Sequence, residues 1–286
     1  MIRRFEEISN NAWPAIHTIQ YDGWLLRFAN GVTKRSNSVS LLYPSAIDPE
    51  EKITFCEKTY KARAITPCFK ITSIADPTDI DQKLEKHGYY IHSRISFQAR
   101  ELTFTNGTGR LEMNSKYDLH QVKSGFEKFR NTEFIPSQTI LPDGMSVTID
   151  AVMNPRWMDD FIRMNGFDPA RKETYVKIMA LTLTPKCLVS VMKGDRIVGV
   201  GLGVLEDAFI GLFDIVIDPE FRNRGLGQLI VEIILHWGKN KGAKTAYLQV
   251  LSNNISAIHL YRKTGFSEIY QYHYRMPGNR EDQKCF

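Results

Sequence analysis

The chain has 286 residues, a length that fits two domains better than one. Its 43% hydrophobic and 24% charged residues are ordinary for a globular chain and exclude a disordered tail, a collagen-like chain or a disulfide-dense mini-protein. Lys and Arg number 37 against 32 Asp and Glu, a net charge of +5 spread over both halves, too mild and diffuse to imply nucleic-acid binding.

In the N-terminal half, residues 24–29 and 38–42 read as strands. Residues 48–64 read as a helix, with Asp48 as its cap and Pro49 at its first position. A strand over 69–72, a short helix over 79–86 stopped by Gly88 and an extended segment over 89–102 follow. The polar run Arg35-Ser36-Asn37-Ser38-Val39 reads as an exposed edge strand rather than a substrate contact. Residues 105–145 carry Gly107, Gly109, Pro136, Pro142 and Gly144, and the domain boundary is placed there.

Beyond it, residues 154–183 are helical in pattern with a break at Pro169. Residues 187–192 and 197–200 read as a hairpin turning through Gly194-Asp195. Phe209–Ile217 is an apolar run closed by Asp218-Pro219, read as a central strand. Leu226, Leu229, Ile230, Ile233, Ile234 and Trp237 share one face of a helix that Gly242 terminates. Residues 245–250 form a strand, 256–263 a short helix stopped by Gly265, and 266–275 a final aromatic-rich strand. The order implies an α/β arrangement, a mixed sheet flanked by helices. The run Leu84-Glu85-Lys86-His87-Gly88-Tyr89 compares with Leu260-Tyr261-Arg262-Lys263-Thr264-Gly265-Phe266, and an internal duplication is inferred.

Cys56, Cys68, Cys187 and Cys285 form no CxxC pair and have no histidine at metal-ligand spacing. A reduced intracellular compartment without structural zinc, and no metal site, are the expectation. The start, Met1-Ile2-Arg3-Arg4-Phe5-Glu6-Glu7, lacks the apolar stretch of a secretory leader. The longest apolar stretches, such as 229–235 with Glu232 inside it, are too short to span a bilayer. A cytoplasmic protein without membrane association is expected.

Chemistry concentrates in Asp218-Pro219-Glu220-Phe221-Arg222-Asn223-Arg224-Gly225-Leu226-Gly227, between the central strand and the amphipathic helix. Two closely spaced glycines let the backbone approach a ligand, a helix N-terminus favours an anion, and Arg222 and Arg224 add charge, so a pyrophosphate fits. A P-loop is excluded because Gln228-Leu229 follows Gly227. A GxGxxG fingerprint is excluded because Ile230 takes the third glycine position.

A second segment follows the next strand, Asn254-Ile255-Ser256-Ala257-Ile258-His259-Leu260-Tyr261-Arg262-Lys263-Thr264-Gly265-Phe266. Together the two resemble the GNAT N-acetyltransferase superfamily. Its pyrophosphate loop is matched by Arg222, Gly225 and Gly227, and its later signature by Asn254, Ala257, Leu260, Tyr261, Gly265 and Phe266. The resemblance covers roughly residues 145–286. It implies a GNAT fold in two tandem GNAT-like domains. A degenerate one spans 1–105, with Leu42-Tyr43-Pro44-Ser45 in place of the loop; a connecting segment spans 106–145 and a catalytic one 146–286.

The resemblance further implies acetyl-coenzyme A held in a V between two parallel strands. Backbone groups of Ile215, Val216 and Ile217 would meet the pantetheine arm. Arg222, Asn223, Arg224, Gly225, Leu226, Gly227 and Gln228 would hold the pyrophosphate, and Asn254 would bind the arm. Tyr261 matches the general acid that protonates the leaving thiolate. For the base that frees the amine, Asp214 is favoured and Glu206 is the other candidate, while His259 is a bystander. Trp157, Asp159 and Asp160 begin the helical segment that lines the acceptor side in the family, and a negatively lined pocket would suit a cationic amine.

The implied activity is acetyl transfer to a primary amine, on a small molecule, peptide or protein, through a ternary complex. No cysteine in the cofactor motifs suggests an acetyl-enzyme. The alternatives are a non-catalytic acyl-coenzyme A sensor and an aminoacyl transferase of the tandem GNAT-like kind.

Overall fold

The computed structural model describes residues 1–102, 139–141 and 144–278, so the connecting segment expected at 106–145 and Cys285 lie largely or wholly outside the described residues. The elements in chain order are α1 (Ile2–Ala12), β1 (His17–Tyr21), β2 (Trp24–Phe28), β3 (Val39–Leu41), α2 (Pro49–Lys61), β4 (Phe69–Ile71), α3 (Ile80–Lys86) and β5 (Tyr89–Glu101). After β6 (Thr139–Leu141) come β7 (Met145–Asp150), α4 (Pro155–Asn165), α5 (Lys172–Leu181), β8 (Lys186–Lys193), β9 (Arg196–Glu206) and β10 (Phe209–Ile217). The chain continues through α6 (Leu226–Asn240), β11 (Thr245–Leu251), α7 (Ile255–Lys263) and β12 (Ser267–Pro277).

All these strands join one mixed sheet in the order β1-β2-β3-β4-β12-β5-β11-β10-β9-β8-β7-β6. The inferred repeat is visible in the topology. The unit β3-α2-β4-α3-β5 has the same order as β10-α6-β11-α7-β12, and in each the first strand runs parallel to the second. The closing strands are exchanged. β5 lies antiparallel between β11 and β12, and β12 lies between β4 and β5. Each half therefore receives a strand from the other.

Two apolar layers cover the C-terminal part of the sheet. On one face α6 packs Leu229, Ile230, Ile233 and Ile234 onto Val189, Val191, Ile210 and Leu248. The helix comes this close because β9 offers Gly199, Gly201 and Gly203 on alternate positions. A Cβ at Gly201 would stand 2.4 Å from Ile230 Cγ2, and one at Gly203 would stand 2.7 Å from Ile234 Cγ2. These glycines hid most of β9, which runs six residues beyond the strand expected at 197–200. On the other face α1, α4 and α5 bring Phe5, Ile8, Trp157, Phe161 and Ile178 against Phe97, Phe213 and Tyr247. A third cluster, including Trp24, Ile53, Tyr60 and Phe69, forms the N-terminal core. Among the described residues no helix is long and apolar enough to cross a membrane.

Candidate functional site

The parallel strands β10 and β11 pair only from Phe209–Thr245 to Leu212–Leu248. Beyond that point β11 stays paired with β5 through Leu251, while β10 diverges. The divergence coincides with a bulge against β9 between Phe213 and Val216, and Asp214 within it has φ of +51°. That left-handed conformation is uncommon outside glycine, and Asp tolerates it better than most residues. The result is a V. Ile215, Val216 and Ile217 face its open side with no strand partner there.

At the end of β10 the buried Asp218 anchors the next turn. Its carboxylate accepts hydrogen bonds from Arg163 at 2.7 Å and Arg196 at 2.8 Å. Burial raises its pKa, but these bonds outweigh it and leave the carboxyl below its usual range. A short 3-10 turn over Pro219–Phe221 leads into the loop, where Arg222 Nε donates to the Ile217 carbonyl at 3.3 Å and Arg224 stacks 5.0 Å from the Phe221 ring. Asn223 and Gly225 both take positive φ, +59° and +85°. The helical ladder of α6 then begins with Leu229 N–H donating to the Gly225 carbonyl, so the amides of Leu226, Gly227 and Gln228 precede it. Gly227 packs on α7, where a Cβ would come within 3.2 Å of Leu260.

The short helix α7 is capped by Asn254, whose side-chain oxygen accepts from Ala257 N–H at 3.1 Å. Tyr261 lies edge-on to Phe266 at 6.1 Å, half-buried against the same layer as α6. Burial pushes its phenol up to about 12, so it is protonated at neutral pH. Among the described residues its hydroxyl makes no hydrogen bond. His259 on the same helix is exposed.

On the opposite face of the sheet the bulge opens into a cavity of about 220 Å³. Its walls come from distant parts of the chain: Trp13 after α1, Arg35 before β3, Phe161 on α4, Tyr175 on α5, and Asp214 and Val216 on β10. Burial pushes the Asp214 carboxyl up to about 6, against the opposing effect of Arg35. Its Oδ2 is buried without a hydrogen-bond partner. The Arg35 guanidinium lies beside the rings of Trp13 and Phe213, 5.1 and 5.3 Å from their centroids.

Three expectations need correction here. The run 35–39 is not an exposed edge strand. Its polar residues serve a buried turn, in which Asn37 Oδ1 accepts from Ala29 N–H at 2.6 Å and Gly31 N–H at 2.9 Å while its amide donates to the Thr33 carbonyl at 2.8 Å. Arg35 is thereby aimed into the cavity. Glu206 pairs with Phe209 at the far end of β10 and contacts Arg4 at 3.2 Å, away from the V. The helix α4 does line the cavity, but with Phe161 and Asn165. Asp159 and Asp160 are engaged by Lys172 and Arg163, and Trp157 is buried with its indole N–H on the Val189 carbonyl. Trp13 and Tyr175, which also line the cavity, are not singled out by the sequence, because no local motif marks side chains that only the tertiary fold assembles.

Residues 154–266 match the model of the acetyltransferase (GNAT) family, and residues 1–87 match one described as "Probable histone acetyltransferase Rv0428c C-terminal". The chain is 30% identical over 278 residues to the uncharacterized N-acetyltransferase YobR of Bacillus subtilis, covering 96% of this chain and 98% of that one. Its fold is similar to a GCN5-related N-acetyltransferase from Kribbella flavida, with a TM-score of 0.62 at 16% identity over 98% of this chain and 97% of that one. A tandem GNAT protein from the clavulanic acid biosynthesis pathway gives a TM-score of 0.56 at 9% identity, covering 96% and 88%.

Proposed function

Because the chain belongs to the GNAT family and is an N-acetyltransferase, we propose that it transfers the acetyl group of acetyl-coenzyme A directly to a primary amine. The observation that carries this reading is the V where β10 leaves β11 beyond Leu212, followed at once by the arginine–glycine loop into α6.

The residues present fit the donor. The unpaired edge of β10 from Ile215 to Ile217 offers amides and carbonyls to the pantetheine arm. The amides of Leu226, Gly227 and Gln228, with Arg222, Asn223, Arg224 and Gly225 around them, suit a pyrophosphate at the positive end of the α6 dipole. The missing side chain of Gly227 keeps that approach open and close to α7. The Asn254 amide nitrogen is left for the arm while its oxygen caps the helix.

Acetyl-coenzyme A supplies the acetyl group as a thioester. Asp214 takes a proton from the incoming amine, which must be neutral to attack. A backbone N–H at the bulge polarises the carbonyl, and the protonated Tyr261 donates to the departing sulfur. Direct transfer is supported by the cysteines among the described residues: Cys56 and Cys68 are buried with thiols pushed up to about 12, and Cys187 is buried too.

Calorimetry with acetyl-coenzyme A and a thiol-release assay with amines test the reading. Tyr261→Phe is expected to lower kcat about 10²-fold while leaving donor affinity nearly unchanged. Absence of donor binding, or of thiol release with every amine tried, would sink the proposal.

A further inference from the structure

We propose that the acceptor is a free α-amino acid with an apolar or aromatic side chain, its amine received by Asp214 and its carboxylate by Arg35. The inference rests on the acetyltransferase reading above and names the substrate class of that site.

Asp214 and Arg35 are the charged residues among those lining the cavity. The buried charges Asp218, Glu6 and Arg275 have charged partners: Asp218 holds Arg163 and Arg196, Glu6 holds Lys70 at 2.6 Å, and Arg275 holds Asp81 at 2.8 Å. Asp214 and Arg35 depart from this. Asp214 Oδ2 is buried without a hydrogen-bond partner, and the guanidinium of the half-buried Arg35 forms no ion pair or hydrogen bond among the described residues. The two do not bond each other either, although they share one cavity. Burying a charged group such as the Asp214 carboxylate without a partner is costly, and the cost is removed when a ligand supplies the partner, while the half-buried Arg35 stands in the same cavity as a cation open to an anion. A molecule carrying both an ammonium and a carboxylate answers both groups at once.

The Arg35 fork is also presented for use. Contact with the faces of Trp13 and Phe213 holds the guanidinium beside the cavity, and a planar fork matches a carboxylate bidentately. An amine without a carboxylate leaves this cation unanswered, and a polyamine brings a second positive charge against it. The amino group of a peptide chain has an amide where the carboxylate should be.

Size and polarity agree. The cavity volume of about 220 Å³ falls below the roughly 300–1,000 Å³ of sites for drug-sized ligands. Phe161, Phe167 and Tyr175 form one wall, their rings 5.4 to 6.1 Å apart, and offer an apolar surface to a side chain. In the reaction the N–C bond of the amide forms and the C–S bond breaks. An ammonium and a thioester give an amide, a free thiol and one proton released to solvent.

The experiment compares leucine and phenylalanine with isoamylamine and phenethylamine, which lack the carboxylate, and with leucinamide. Binding is read by calorimetry in the presence of coenzyme A, and turnover by thiol release. The amino acids are expected to exceed their carboxylate-free partners by roughly tenfold or more, equivalent to about 1.4 kcal/mol. Arg35→Gln should erase that difference by weakening only the amino acids, and Arg35→Lys should restore part of it. Unfolding curves of both variants establish that they are folded.

The proposal is overturned if the amines match or exceed the amino acids, if no amino acid binds, or if the preference survives Arg35→Gln. Acetyl-coenzyme A binding, measured separately, distinguishes the failures. Donor binding with amine but not amino-acid turnover defeats this proposal alone. Arg35-dependent amino-acid binding without donor binding defeats the acetyl-coenzyme A reading alone.

Discussion

Asp214 combines three departures from an ordinary strand residue: a positive φ, a buried carboxylate oxygen without a hydrogen bond, and a pKa pushed up to about 6. Such features persist when a site requires them. Their cost predicts a pH effect on stability. The folded pKa lies above the ordinary value of 3.8, so the folded state binds more protons between 3.8 and about 6. The destabilisation is absent below that window, grows as pH rises through it and is complete above it. Asn retains the shape and tolerates the left-handed backbone. Asp214→Asn is therefore expected to stabilise the fold by on the order of 1–3 kcal/mol at pH 7.5, with the gain vanishing near pH 4. Urea denaturation at the two pH values checks this. The same variant should lose about 10²–10⁴-fold in kcat/KM, together with the limb of the pH–rate profile near 6. A variant less stable at pH 7.5, or a retained limb, would remove Asp214 from the role of base.

At the scale of elements, the glycine ladder of β9 sets how deeply α6 sits, and α6 carries the loop at its N-terminus. With Ile230 Cγ2 2.4 Å from the position of a Cβ on Gly201, Gly201→Ala should destabilise the fold by about 1–3 kcal/mol through overpacking. A chemical denaturation midpoint no lower than wild type would contradict this. Several elements were legible because one local rule governed them. Phe209–Ile217 is a continuous apolar strand, α6 shows the helical spacing, and Asp48-Pro49 starts α2 with Asp48 accepting from Glu50 N–H at 2.9 Å. Where polar residues enter the core the rule fails. In α1 the buried Glu6 bonds Lys70 and the Tyr270 hydroxyl, so its charged sequence conceals a core-facing helix. The motif half of the site was readable for the same reason. Gly225, Gly227 and Tyr261 lie in contiguous segments, whereas Trp13, Arg35, Tyr175 and Asp214 meet only after folding.

For the molecule as a whole, the exchange of β5 and β12 makes the halves interdependent, which no local pattern in either strand announces. The duplication was readable from the sequence because each copy repeats its own helix–glycine–strand junction. Which copy each closing strand joins is decided by long-range pairing. Every residue of β11 from Thr245 to Leu251 pairs with β5, and β12 has β4 and β5 as its neighbours. The cavity crosses the same boundary, since Trp13 and Arg35 face Tyr175 and Asp214. A fragment of residues 139–286 retains the loop, Tyr261 and Asp214, but exposes the edge of β11 and leaves β12 without either partner. Unpaired edges of this kind template aggregation. The fragment is therefore expected to show no cooperative thermal transition and no acetyl-coenzyme A binding by calorimetry. Adding residues 1–102 as a separate chain should restore both, because β5 and the α1 segment return together. If residues 139–286 alone unfold cooperatively and bind the donor, the N-terminal half is not needed to complete the sheet. Its contribution would then be confined to the wall of the cavity.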